Sequence, residues 1–388
     1  MNNNLNNKAK INNNEKGQSN LGFFQSIFRD LDNPTKKNPQ QNDYEINKKI
    51  NDSINYYSSY YPNEINYQVE APFISKNRLI NFLNDCYIIS FLQILFHTEN
   101  FLRILKKYNM PNKETIINYL ILVSEYPFNA EYFYKLKQLF GSINPDYSKP
   151  WSNDSQEFGI DLINYLISET KESIVESYNE IQDLNEEKDF NNKKKIIYKN
   201  YVSTYQKNLN EIEKLFLFNQ LDIFCGKNIK NPTISSNLHL ELTLQKFSDI
   251  TDIENLIDEK YNNRNDIAKD NQIIIKSKII SLPEILIITI NRVLKNKSIN
   301  NTRLLFRENL DLKKYIYYDL FQDNNKKMTY HLYAINECVH SNKYSHYKCY
   351  IKIDNKWFIF DDEKPIEEFN GNLRNSPFIV GLFYKRDI

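Results

Sequence analysis

The stretch Leu79–Phe96, LINFLNDCYIISFLQILF, is where the fold is decided. From Cys86 onward its apolar residues Ile88, Ile89, Leu92, Leu95 and Phe96 recur with a helical period, which predicts a helix opening at the cysteine. Asn84 or Asp85 stands where a side chain can cap that helix by accepting from the free amides of its first turn. A cysteine at a loop-to-helix junction meets the positive end of the helix dipole, which favours a thiolate. Cys86 therefore has two readings, a nucleophile or a buried and inert thiol. Asp85 counts against the first, because an adjacent negative charge disfavours a thiolate.

Working outward, the spacing predicts further helices over 114–125, 130–140 and 154–168. A charged, amphipathic and helical stretch is expected from Ser168 to Leu217, with a polar centre at Asn185–Asn192. After Phe218 the period changes to two. NLHLELTL, residues 237–244, places Leu238, Leu240, Leu242 and Leu244 on one face of a strand. Further strands are expected at Ile273–Ile275, Leu286–Ile290, Leu332–Ile335, Tyr347–Ile353, Trp357–Phe360 and Phe378–Tyr384. Helices first and strands second indicate an α+β fold.

A second stretch, SHYKCYIKIDNKWFIFDDEK (residues 345–364), puts His346 at the start of one strand and Asp361 and Asp362 at the end of the next. A tight turn at Asp354–Asn355 would fold these strands into a hairpin and return the acids to the histidine. A cysteine nucleophile needs a base, and the base needs an orienting acceptor, so the two stretches together follow triad logic. Taken alone, the second stretch reads equally as a surface hairpin with an acidic end. Asp154 and Glu157, ahead of the helix predicted at 154–168, have the spacing of a capping box.

Composition removes other classes of function. The 388 residues carry 50 Lys+Arg against 49 Asp+Glu, a net charge of +1, without the basic excess of a general nucleic-acid binder. Seven glycines and no GxGxxG or GxxxxGK[ST] string argue against a dinucleotide or P-loop site, and four cysteines are too few for a disulfide scaffold. Asparagine is in marked excess, which we read as a codon bias and not as a functional polar tract. Residues 1–65 are polar and weakly periodic and are expected to be mostly disordered, apart from a short cluster of Phe23, Phe24, Ile27 and Phe28 with helical spacing. The N-terminus lacks the apolar core of a secretory signal, and no stretch approaches 18 uninterrupted apolar residues, so no transmembrane helix is expected. The expectation is a protein of a reducing compartment, cytoplasmic, nuclear or both, with free thiols.

Five stretches, in order, resemble the ubiquitin-specific proteases (USPs). LINFLNDCYIISFLQILF is similar to the family's Cys box, and SNDSQEFGIDLINYL (152–166) to its Gln–Asp box. LPEILIITINR (282–292) is similar to a family strand. YHLYAINECVHSNKYSHYKCYIKIDNKWFIFDDEKP (330–365) resembles the His box, and PFIVGLFYKR (377–386) the closing strand. The resemblance runs from about Leu79 to Arg386. It implies a papain-like cysteine protease fold of the USP type, over residues 66–388, with a helical thumb at about 77–217 and β-rich fingers and palm at about 218–388. The charged segment 170–215 would be an insertion in the thumb.

The same resemblance makes Cys86 the nucleophile, His346 the general base and Asp361 the residue that orients it. Asn81, five residues before the cysteine, would stabilise the oxyanion, with the Cys86 amide as second donor. Asp362 would make a secondary polar contact. Asp154 and Glu157 would face the basic C-terminal tail of ubiquitin, alongside their capping role. Tyr347 would line the channel for the terminal Gly-Gly or else belong to the core. His340 is the one rival base. The implied activity is thiol-dependent hydrolysis of the bond after the C-terminal Gly of ubiquitin, by a monomer, without a cofactor, nucleic acid or membrane. Two alternatives stay open: a weakly active ubiquitin-binding adaptor, and a protease for a ubiquitin-like modifier. The chain departs from the family pattern at Leu83 and Ser345, where the family has Gly, at Asp85 (Thr), at Ile89 (Asn) and at Cys338 (His). Many members hold a zinc in the fingers with two CxxC pairs. Cys225 alone stands in that region here, so no structural zinc is expected.

Overall fold

The computed structural model describes Leu79, Asn81 and residues 84–111, 113–171, 209–225, 233–244, 247–262, 265–268, 271–317, 327–340 and 345–387, with isolated positions at 192, 195, 196 and 199. The expected disordered segment 1–65, Leu83 and most of the charged segment 170–215 lie outside these residues.

Five helices come first: α1 (Cys86–Phe96), α2 (Phe101–Lys107), α3 (Ile116–Glu125), α4 (Ala130–Phe140) and α5 (Ser155–Thr170). Three have the side-chain caps their sequences offer. Thr115 accepts from the Asn118 amide, Asn129 from Tyr132, and Asp154 from Gln156 and Glu157. Helix α1 is buried along all eleven residues, as an all-round apolar sequence requires. It packs against α5 on one side and the strands that carry the histidine on the other. Phe158 of α5 makes edge contacts with Tyr87 and Phe91 of α1, and Phe91 makes another with Phe383. Gly159 allows this approach, because a Cβ there would lie 2.1 Å from the Phe91 ring.

A short helix, α6 (Glu211–Phe216), opens with a capping box between Asn210 and Glu213 and leads into the β half. Strands β1 (Phe218–Cys225), β2 (Thr233–Asn237), β3 (His239–Thr243) and β4 (Ile250–Asp252) precede helix α7 (Ile253–Asn262). They are followed by β5 (Asn265–Ala268), β6 (Asn271–Ser281), β7 (Ile285–Asn291), β8 (Arg303–Leu305) and β9 (Asn309–Asp311). Strands β10 (Thr329–His340), β11 (Ser345–Ile353), β12 (Lys356–Phe360), β13 (Glu367–Glu368) and β14 (Ile379–Arg386) complete the chain.

The large sheet has the order β13-β12-β11-β10-β14-β7-β3, with β9 also on β10. All its pairs are antiparallel except β3 with β7. A separate four-stranded sheet runs β2-β1-β6-β5, and β4 pairs with β8. Leu240, Leu242, Leu286, Ile288, Leu382 and Tyr384 are among the core residues under the large sheet. The alternation in NLHLELTL survives in β3 as buried leucines between exposed or half-buried polar residues. Strand β7 is buried at six of its seven positions, which explains its unbroken apolar run. Mixed helices and sheet, in that order, make the fold α+β as expected.

The residues the periodicity did not announce are short or polar on average. Helix α2 is only seven residues long. Helix α7, IENLIDEKYN, buries Ile253, Leu256, Ile257 and Tyr261 while its other face stays charged. Among the described residues no single helix is long and apolar enough to cross a membrane.

Candidate active site

Cys86 is the first residue of α1 and is 3% exposed. The preceding turn is tight, with Asn84 at φ 58°, a left-handed conformation that asparagine adopts more readily than most residues. Asp85 occupies the N-cap position, but its side chain makes no capping hydrogen bond. Here the structure corrects the sequence expectation. The Asp85 carboxylate is fully buried and forms an ion pair with the equally buried Lys137 of α4. A carboxylate buried this deeply requires a paired cation, and Lys137 supplies it.

The predicted hairpin is present. Strands β11 and β12 pair with Cys349 opposite Phe360, and Asp354 and Asn355 turn the chain with φ of 49° and 65°. Two successive positive φ angles are the primed turn that suits the strand twist. The hairpin returns Asp361 to His346, whose Nε2 lies 2.7 Å from Asp361 Oδ1. With Nε2 engaged, Nδ1 is the nitrogen left for the cysteine, and Cys86 lies near enough to contribute to the raised pKa of the imidazole.

Electrostatics separates the members of this cluster. Burial works against the charged form of His346. Hydrogen bonds to Asp361 and to Cys86 outweigh it, together with the nearby Asp362 charge, and raise the ring to about 10. Burial also acts to raise Asp361, but hydrogen bonds from His346 and from Lys364, whose Nζ is 2.7 Å away, bring it down to about 2. Asp362, the next residue, is raised to about 7, chiefly by its burial and against the pull of His346 and Asn81. Its Oδ1 is buried without a hydrogen-bond partner. Its φ of 51° turns the chain so that neighbouring carboxylates face different surroundings.

Asn81 joins the two halves. Its Oδ1 accepts from the Asp85 amide at 2.9 Å, which orients the side chain so that Nδ2 donates to Asp362 Oδ2, also at 2.9 Å. Asp362 Oδ2 is in turn 4.0 Å from His346 Nδ1. The structure thus brings Cys86, His346, Asp361, Asp362 and Asn81 into one cluster. Asp154 and Glu157 are exposed at the start of α5. Asp154 caps the helix through Oδ1, at 2.7 and 3.0 Å from the Gln156 and Glu157 amides.

Tyr347 is 5% exposed, so it belongs to the buried part of β11. The Ser155 hydroxyl donates to the Tyr87 carbonyl at 2.8 Å and accepts from Asn336 Nδ2 at 2.9 Å, which fastens α5, α1 and β10 together around the site. Burial pushes the Cys338 thiol up to about 12, which keeps it protonated. His340, the rival base, has Nδ1 2.8 Å from Ser345 Oγ and 3.8 Å from Cys338 Sγ. Its pKa is lowered, by burial first and then by Arg292. Lys137, Lys364, Ser155 and Asn336 are participants that sequence reasoning missed. For Lys137 the available signal was a lone lysine on the apolar stripe of α4.

A nucleophile at a helix start, a base held by an acid, and an amide donor beside them make an arrangement capable of acyl transfer. Comparison with known proteins points the same way. The family model described as ubiquitin carboxyl-terminal hydrolase matches residues 77–380. Among solved structures, the Ubp8-Sgf11-Sgf73-Sus1 SAGA DUB module is similar with a TM-score of 0.60 at 18% identity, over 91% of this chain and 76% of that one. The SAGA Ubp8/Sgf11/Sus1/Sgf73 DUB module bound to ubiquitin aldehyde is similar with a TM-score of 0.59 at 18% identity, over 91% and 77%. A yeast SAGA DUB module with a mutant Sgf73 gives 0.58 at 18% identity, over 87% and 75%. No curated protein sequence matches the chain.

Proposed function

The chain belongs to the ubiquitin carboxyl-terminal hydrolase family, in its USP-type branch, and on that premise we propose that it is a thiol-dependent deubiquitinase. The observation that carries the proposal is the meeting of Cys86, at the start of α1, with His346, which is hydrogen-bonded to Asp361.

In this reading His346 Nδ1 takes the proton of the Cys86 thiol, and the sulfur attacks the carbonyl carbon of ubiquitin's terminal glycine. The carbonyl π electrons move to oxygen and give a tetrahedral oxyanion. The Cys86 amide and the second N–H of Asn81 Nδ2 are the available donors to it, the first N–H being held by Asp362. Collapse expels the lysine amine, which takes its proton from His346, and leaves a thioester. Water deprotonated by His346 then hydrolyses the thioester and returns the thiol. The low pKa of Asp361 supports its role as the lasting anionic partner of the imidazolium. The exposed Asp154 and Glu157 supply negative charge that suits a basic tail.

The test is a covalent one. The purified chain is treated with ubiquitin bearing a C-terminal electrophile, and an adduct is sought by mass. We expect wild type to be labelled at Cys86 and Cys86→Ala to remain unlabelled. Absence of a wild-type adduct, with ubiquitin binding retained in calorimetry, would replace the hydrolase reading by that of a ubiquitin-binding adaptor. An adduct formed faster with a ubiquitin-like modifier would transfer the specificity to that modifier.

A further inference from the structure

Helix α4 carries a lysine where its spacing puts core residues. Lys137 falls on the buried face with Phe133, Leu136 and Phe140, and its side chain is 2% exposed. Its ammonium meets the Asp85 carboxylate, which is 0% exposed. Charges are rarely buried this deeply unless paired, and removing one member of a buried pair is costly. The location gives the pair its meaning, because Asp85 is the residue directly before the nucleophile. Its amide donates to Asn81 Oδ1, and its carbonyl accepts from the Ile88 and Ile89 amides at 2.9 Å each, opening α1. Asn81 holds Asp362, and Asp362 Oδ2 lies 4.0 Å from His346 Nδ1. Lys137 therefore ends a chain of contacts that runs through Asp85, Asn81 and Asp362 to the base.

We propose that Lys137 and Asp85 are a positioning pair for the nucleophile. Lys137 cancels the carboxylate charge next to the Cys86 thiol. Asp85, neutralised in this way, fixes the turn that presents Cys86 and Asn81 together. The proposal rests on Cys86 being the nucleophile of the preceding section. The other charged or titratable groups around the thiol are His346, with Asp361 and Asp362 behind it, Cys338 on β10 and Tyr87 on α1 itself. All of them stay unchanged in the test.

The pair makes predictions of opposite sign. The rate of Cys86 alkylation by iodoacetamide is followed across pH in the full chain, read on the mass of the Cys86 peptide so that Cys225, Cys338 and Cys349 do not contribute. Lys137→Met removes the cation that offsets the carboxylate before Cys86 and moves the profile to higher pH. Asp85→Asn removes the carboxylate and moves it to lower pH. Each displacement is expected to be about one pH unit. The double variant Asp85→Asn/Lys137→Met restores neutrality and brings the profile back close to wild type. A merely structural pair would lower the melting temperature in both single variants without opposite displacements. Displacements in the same direction, or none in folded variants, overturn the proposal. Should Lys137→Met fail to fold, Asp85→Asn and the double variant carry the same test. Alkylation needs no ubiquitin, so the two readings fail separately. Opposite displacements without a ubiquitin adduct overturn the hydrolase reading alone, and an adduct without displacements overturns the positioning pair alone.

Discussion

Asp361 and Asp362 are neighbours in the chain with opposite acid–base character, about 2 and about 7. Asp361 receives His346 and Lys364, whereas Asp362 is buried with a single amide donor and one oxygen unpartnered. Pairs of carboxylates separated in this way mark acid–base assignments. Replacing Asp361 by Asn keeps an acceptor for Nε2–H but removes the charge that holds the imidazolium. The alkaline limb of the pH–rate profile on a fluorogenic ubiquitin substrate, expected near the His346 value of about 10, should move to lower pH in Asp361→Asn. Asp361→Ala, which removes the acceptor as well, should cost roughly a hundredfold or more in kcat. An unmoved alkaline limb in Asp361→Asn would contradict the assigned role. Asn81→Ala should lower kcat by about a hundredfold with little change in KM, as loss of an oxyanion donor does. A change confined to KM would count against it.

The elements that were readable at the sequence level are those with long, regular periods. Helices predicted over 130–140 and 154–168 occur at Ala130–Phe140 and Ser155–Thr170. The strands predicted at Tyr347–Ile353 and Trp357–Phe360 lie within β11 and β12. Among the elements that the period did not announce, α2 and α7 are short or polar outside one narrow stripe. The α1–α5 contact depends on Gly159, where an added Cβ would lie 2.1 Å from Phe91 inside a buried aromatic cluster. Gly159→Ala should therefore destabilise the protein by about 1–3 kcal/mol in urea denaturation, and neutrality there would mean that the two helices are free to separate. The start of α5 has two roles that one substitution separates. Asp154→Asn keeps a capping oxygen but removes the charge. If Asp154 acts on a basic tail, KM rises while the melting temperature holds. If it only caps, neither changes, whereas Asp154→Ala should cost about 1 kcal/mol of stability.

Across the whole molecule, the site's titrations couple to folding. The folded pKa of His346 is raised from 6.5 to about 10, so its stabilisation is complete below pH 6.5 and is lost as pH rises through about 10. Asp362, raised from 3.8 to about 7, contributes most below pH 3.8 and loses that contribution as pH rises through about 7. Asp361, lowered from 3.8 to about 2, contributes fully above pH 3.8 and loses its share as pH falls through about 2. Melting temperature measured against pH should accordingly decline from pH 4 to 7 less steeply in Asp362→Asn than in wild type. Between pH 7 and 10 it should decline less steeply in His346→Gln. Parallel curves for wild type and both variants would show that these groups do not carry the linkage.

Local periodicity determined the α+β order of elements, the helix that opens at Cys86 and the hairpin that returns Asp361 to His346. Each of these depends on residues near one another in the chain, with Asp354–Asn355 supplying the turn. Tertiary structure alone decided what surrounds the nucleophile. The partner of Asp85 stands 52 residues away on α4, and the acceptor of Asn81 stands 281 residues away after β12. Neither partner has a periodic signature, because which buried polar groups meet depends on how the helices and the sheet close together. In sequence Asp85 reads as an unfavourable charge beside a thiol. In the folded chain Lys137 meets that charge, and the departure from the family pattern becomes part of the site.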